Sequence, residues 1–255
     1  MDKFKKFTLD LLFPKFCLGC KKEGTYLCDD CRTLLDISEF NYCLCDQHPV
    51  LLPPTQAKGK CPRCQDPPKG EVGKKLSGLY FALPYKENHL TKKLIHQFKY
   101  QPYLKDLAST LASILIEHFV LSGKNTNEIW ENAILIPVPL DKNKLKIRGY
   151  NQSEELAKEL SKVLQVPVLS NVLIKIKPTA SQMELKKEAR EKNLQGAFAC
   201  LPAGRQQKNP AGLAGKKIFL VDDVYTTGST MQECAKVLKS AGTKSVWGIA
   251  IAREG

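Results

Sequence analysis

The sequence predicts an α/β protein: a mostly parallel sheet with helices on both faces, preceded by a small cysteine-rich metal module. Three observations carry this. Beyond residue 75, short apolar runs alternate with amphipathic helical patterns, as in a sheet covered on both sides. The run "KKIFLV" at 216–221 ends almost continuously apolar, as a strand buried on both faces must be. Eight of the ten cysteines fall between residues 17 and 64, mostly in the paired spacing that suits a metal ion.

The elements follow in order. "MDKFKKFTLDLLFP" places Phe4, Phe7 and Leu11 on one helical stripe, and Asp10 inside its apolar stretch argues against a secretory leader. It reads as an amphipathic docking helix of a cytoplasmic protein. The cysteines come as Cys17-x-x-Cys20, Cys28-x-x-Cys31, Cys43-x-Cys45 and Cys61-x-x-Cys64. Disulfides need an oxidising compartment, so structural zinc is the reading. Cys17, Cys20, Cys28 and Cys31 make a first site. Cys43, Cys45, Cys61 and Cys64 make a second, for which Cys45 and His48 are an alternative pair at the usual spacing. A module of this size buries too little apolar surface to fold unaided, so the metal stabilises it. Removing the metal is expected to loosen the module and spare the sheet. "QDPPKGEVGKK" at 65–75 marks the boundary, which divides the chain into 1–75 and 76–255.

"GLYFAL" at 78–83 reads as a strand, "HLTKKLIHQF" at 89–98 and "LKDLASTLASILIEHFVL" at 104–121 as helices, and "AILIPVPL" at 133–140 as a strand. Glu117 and His118 interrupt the most apolar helix well short of the ~20 residues a membrane span needs. His118, on the face of Leu111 and Leu115, reads as a core or edge histidine rather than a catalytic one, whereas His96 reads as exposed. "NQSEELAKELSKVL" at 151–164 is a helix opened by a capping box of Asn151 and Glu154. "VLIKI" at 172–176 and "AFAC" at 197–200 are strands flanking a charged stretch, and "PAGRQQKNPAGLAG" at 202–215 is a surface loop. "STMQECAKVLKSAG" at 229–242 is a helix that packs Cys234 beside Met231, Ala235 and Leu238, and "SVWGIAIA" at 245–252 is the last buried strand.

Between "KKIFLV" and that last helix lies "VDDVYTTGST", residues 221–230. A strand ending at Val221 and a helix starting near Ser229 put residues 222–230 at the carboxyl edge of a parallel sheet, where open α/β folds bind ligands. Thr226, Thr227, Gly228, Ser229 and Thr230 offer backbone amides and hydroxyls at a helix N-terminus, suited to a phosphate. Asp222 and Asp223 would repel that phosphate, so they address another part of the same ligand, vicinal hydroxyls or a Mg2+ ion. A 5-phosphorylated ribose meets both demands.

"IFLVDDVYTTGST" closely resembles the phosphoribosyl-pyrophosphate (PRPP) motif of type I phosphoribosyltransferases. With the cysteine module, "HQFKYQPYLKDLA" at 96–108, "PVPLDKNKLKIRGYNQS" at 137–153 and "KPTASQMELKKEAREKNLQGAF" at 177–198, the chain resembles the ComF family, including ComFC and GntX-like proteins. The tight Cys43-x-Cys45 pair and the apparent insertion at 202–215 depart from the family pattern. The resemblance implies a type I phosphoribosyltransferase-like domain behind a zinc ribbon. Asp222 and Asp223 would hold the ribose hydroxyls, directly or through Mg2+, and Thr226 to Thr230 the 5-phosphate. The loop after "LIPVP" would face pyrophosphate through Lys142 and Arg148, with Lys144 and Lys146 nearby; the guanidinium fork makes Arg148 the preferred contact.

Residues 177–196 would form the loop that closes over the site, carrying Gln182 and Arg190, although an exposed charged helix explains that pair equally well; Arg148 and Arg190 are the catalytic candidates. Lys99 and Tyr100 match a family block, where a cation beside an aromatic suits phosphate and a stacked base; a plain helix end explains the pair equally well. By resemblance, the protein binds PRPP and serves DNA uptake in natural transformation. The net charge of +13 suits a polyanion such as single-stranded DNA, solubility being the plain alternative, and DNA-uptake or recombination proteins are candidate partners. The alternative is an active phosphoribosyltransferase of nucleotide salvage whose acceptor the sequence leaves open.

Overall fold

The computed structural model describes residues 12–37, 76–86, 88–123, 127–177, 194–201 and 212–254. The expected stripe of Phe4, Phe7 and Leu11, the second cysteine set Cys43, Cys45, Cys61 and Cys64 with His48, the boundary at 65–75, Gln182, Arg190 and most of 202–215 lie outside these residues.

A single helical turn, α1 (Asp29–Arg32), precedes β1 (Gly78–Pro84), α2 (His89–Lys99), α3 (Leu107–Leu121) and the short α4 (Asn127–Trp130). Then come β2 (Ala133–Pro137), α5 (Lys142–Arg148), α6 (Gln152–Leu164), β3 (Leu173–Lys175) and β4 (Phe198–Cys200). The described chain closes with β5 (Lys217–Tyr225), α7 (Ser229–Ser240) and β6 (Ser245–Arg253). Four strands form one sheet in the order β1-β6-β5-β2, every neighbouring pair parallel.

The alternation of side chains along β5 builds both cores. Ile218 and Leu220 enter one cluster with Met231, Cys234 and Leu238 of α7, while Phe219 and Val221 enter the other with Leu111 and Leu115 of α3 and Leu156 and Leu160 of α6. Helices on both faces of a parallel sheet are what the alternating pattern predicts. His118 and Cys234 are buried in these cores, as expected of packing residues. No described helix is long and apolar enough to cross a membrane.

Four local expectations are corrected. β5 does not stop at Val221 but continues its ladder with β6 through Tyr225, so Asp222 and Asp223 belong to the strand. The segment after "LIPVP" is largely a helix, α5, because Asp141 caps it by accepting from the amides of Asn143 and Lys144. β3 and β4 pair antiparallel with each other as a separate ribbon rather than joining the sheet. The capping box is half made: Asn151 accepts from the Ser153 amide at 3.1 Å, while the Glu154 carboxylate pairs with Lys158 at 2.9 Å.

Candidate functional site

The carboxyl edge of β5 gathers the chemistry. Its strand runs into a turn at Thr226–Gly228 and then into α7. Gly228 adopts φ 76° at the N-cap of the helix and makes no side-chain cap, and the Ser229 amide after it donates to Thr227 Oγ1 at 3.4 Å; a helix N-terminus of this kind suits an anion. Thr227 Oγ1 and Ser229 Oγ are hydrogen-bonded at 2.8 Å. A Cβ at position 228 would lie 2.1 Å from the Tyr225 hydroxyl. Both the left-handed backbone and the close approach require glycine here. Gly228→Ala is therefore expected to displace Tyr225 and the Thr227–Ser229 turn, abolishing phosphate-ligand binding with a smaller loss of thermal stability; titration calorimetry beside a melting curve checks it.

The acids are tied to two helices. Ser153 Oγ donates to Asp222 Oδ1 at 2.9 Å, and so does the Asp223 amide, also at 2.9 Å. Asp223 is buried; its Oδ1 takes the Lys99 ammonium at 2.8 Å and the Val224 amide at 2.7 Å, while its Oδ2 takes Gln152 Nε2 at 3.0 Å. Burial and the adjacent Asp223 charge push Asp222 up to about 7. Burial opposes the charge on Lys99, but the Asp223 carboxylate more than offsets this and holds the ammonium above the ordinary lysine range.

Helix α6 delivers Gln152 and Ser153 as its first two residues, positioned by the Asn151 cap, whose Nδ2 also donates to the Val138 carbonyl at 3.0 Å. Gln152 is buried, and its Oε1 has no hydrogen-bond partner among the described residues. Just before it, Tyr150 donates to the Phe98 carbonyl at 2.5 Å and fixes the end of α2 that carries Lys99. Burial pushes Tyr150 up to about 12, with Arg148 opposing the rise.

Lys142, Lys144 and Lys146 of α5 are exposed, whereas Arg148 is half-buried, with Nη1 buried and without a hydrogen-bond partner among the described residues. The structure thus brings together Asp222, Asp223 and the turn 226–230 as read from sequence, with Lys142 and Arg148 on the helix between β2 and α6. Of the two readings of Lys99, the helix end holds: Lys99 is the last residue of α2, and its ammonium pairs with Asp223, while the Tyr100 ring lies on His96 with centroids 4.8 Å apart. The roles of Gln152 and Ser153 went unread in the "RGYNQS" block. Their proximity to an acid pair some 70 positions later has no local signal.

A second cluster lies in the N-terminal segment. The Sγ atoms of Cys17, Cys20, Cys28 and Cys31 all fall within 4.8 Å of one another, with Cys20 and Cys28 at 3.5 Å. Tetrahedral Zn–S bonds of about 2.3 Å put sulfurs roughly 3.8 Å apart, so four thiolates at this spacing fit a metal such as zinc. Burial works against ionising Cys17, but the amides of Cys20, Cys28 and Gly19 outweigh it and draw the thiol down to about 6. Burial and the neighbouring thiols push Cys31 up to about 12. A divalent cation among them would favour the thiolate at all four. Gly19 makes room: a Cβ there would lie 2.5 Å from Cys31 Sγ.

Comparison with known proteins adds the family. The phosphoribosyl transferase domain model matches residues 151–254, from the Asn151 cap to the end of β6. DNA utilization protein YhgH of Shigella flexneri is 31% identical over 237 residues, covering 87% of this chain and 95% of that protein. Competence protein F of Haemophilus influenzae is 35% identical over 159 residues, 62% of this chain and 66% of that protein. Competence protein ComFC of Bacillus subtilis is 27% identical over 166 residues, 62% of this chain and 57% of that protein.

Proposed function

Because the chain belongs to the ComF family of phosphoribosyltransferase-type proteins, we propose that it binds PRPP at the carboxyl edge of β5 and handles incoming single-stranded DNA in the cytoplasm during natural transformation. The observation that carries the ligand is the juxtaposition of Asp222 and Asp223 with the Gly228 turn at the start of α7. The turn takes the 5-phosphate through Thr226, Thr227, Gly228, Ser229 and Thr230. The acid edge at the end of β5 addresses the ribose hydroxyls, which donate well to carboxylates. Mg2+ enters with the pyrophosphate, and Lys142 and Arg148 flank that group. Zinc at Cys17, Cys20, Cys28 and Cys31 is structural. A second ion in residues 1–75 would use Cys43, Cys45, Cys61 and Cys64, or His48, and the body of 76–255 forms the ligand-binding domain.

The DNA reading draws support from the names of the relatives and from the net charge of +13, part of it exposed as Lys142, Lys144 and Lys146 on α5. Calorimetric titration with Mg2+ and PRPP tests the ligand: binding by the wild type that Asp222→Asn weakens by about 10- to 100-fold is the expected result. Fluorescence anisotropy with labelled single-stranded DNA tests the partner. Affinity should fall steeply between about 50 and 200 mM salt, because counterions are released at each phosphate contact; absent or salt-independent binding would remove DNA from the proposal. A second reading, an active phosphoribosyltransferase of nucleotide salvage, is favoured by the family match over 151–254. Pyrophosphate release from PRPP with any one of a pool of free bases would establish it, whereas no release with every acceptor leaves a binding protein.

A further inference from the structure

The two acids of β5 are not equivalent. Both oxygens of Asp223 are engaged by described residues: Lys99 and the Val224 amide on Oδ1, Gln152 on Oδ2, in a side chain only 4% exposed. Asp222 is half-buried and uses only Oδ1, for Ser153 and the Asp223 amide; no hydrogen bond engages its Oδ2 among the described residues. We propose that Lys99 is a built-in cation that saturates Asp223, so that of the two adjacent acids Asp222 alone addresses the ligand's hydroxyls.

This rests on the PRPP reading and assigns the division of labour within it. A pyrophosphate-bearing ligand next to two ionised carboxylates meets double repulsion. Lys99 cancels one of those charges from the buried side, and Gln152 and the Val224 amide hold the cancelled carboxylate in place. Lys99 is thus a positioning residue. It reaches the site because Tyr150 and the Phe98 carbonyl pin the last turn of α2. A lysine fits the task because its compact ammonium can lie against one carboxylate oxygen.

The test is a charge swap. Asp222→Asn should weaken PRPP binding by about 10- to 100-fold, the loss of hydrogen bonds to a charged acceptor. Lys99→Met should weaken it about 10-fold by exposing the Asp223 charge to the ligand. Adding Asp223→Asn to Lys99→Met should restore affinity to within a few fold of the wild type, because no charge then needs cancelling. A double variant as weak as Asp222→Asn would show that Asp223 itself contacts the ligand and would overturn the proposal. Should the double variant fail to fold, the wild type decides through the Lys99 ammonium 15N resonance, assigned by its disappearance in Lys99→Arg. That resonance should keep its ion-paired position when PRPP saturates the protein; its release would overturn the proposal. No PRPP binding by the wild type would overturn the ligand reading and the inference with it. Binding lost equally in Asp222→Asn and in a folded double variant overturns the inference alone.

Discussion

Asp223→Asn should lower the unfolding free energy by about 2–3 kcal/mol in urea denaturation, because it leaves the Lys99 ammonium in the site without its carboxylate. A fully buried pair would cost more; the Lys99 side chain is 24% exposed, and water screens part of the loss. Asp222→Asn should behave in the opposite sense. Its carboxyl keeps its proton up to about 7 in the folded protein against an ordinary value of 3.8, so the folded state binds that proton more tightly than the unfolded chain. Stability therefore falls as pH rises from about 4 to about 7 and is level above. Removing the carboxyl removes that fall, so Asp222→Asn should be more stable than the wild type at pH 8 and no less stable near pH 4. Equal destabilisation by both substitutions at pH 8 would contradict the asymmetry between the two acids.

The same asymmetry shows how far the sequence could be read. The apolar run ending at Val221, the acids after it and the glycine of the turn are local signals, and they mark the candidate site. The strand's true end at Tyr225 was hidden, because polarity at Asp222 and Asp223 looks like the end of a buried strand. A ladder carries charged residues when distant partners compensate them, and here Ser153, Gln152 and Lys99 do so from helices far away in sequence. Lys99 illustrates the limit best. Its neighbour Tyr100 suggested a phosphate and base platform, whereas the turn pinned by Tyr150 carries the ammonium to an acid of the strand. The first cysteine set was legible for the opposite reason: two Cys-x-x-Cys pairs specify their own geometry through local backbone. What those pairs pack against was not.

That packing changes the expected outcome of metal removal. Cys17, Cys28 and Cys31 are buried in the same hydrophobic cluster as Leu94 and Phe98 of α2 and Leu111 and Leu115 of α3. Arg32 Nε donates to Glu117 Oε2 at 2.8 Å, and its Nη1 donates to Ser113 Oγ at 3.0 Å; Asn88 Nδ2 donates to the Leu34 carbonyl at 3.1 Å. The cysteine segment is therefore seated on the helices that cover the sheet. Chelation should lower the melting temperature of the protein in one transition, by about 10 °C or more, since structural zinc sites contribute several kcal/mol and each is worth roughly 2–4 °C at this size. Differential scanning calorimetry with and without chelator measures it. Two transitions, with the sheet melting at its original temperature, would restore the expectation of an independent module. The effect should also reach the ligand. Asn88 caps α2 against the cysteine segment, and Lys99 ends the same helix on Asp223. A cluster loosened by chelation frees one end of α2, so PRPP affinity should fall with metal loss, and metal retention should rise by the same factor when PRPP is bound.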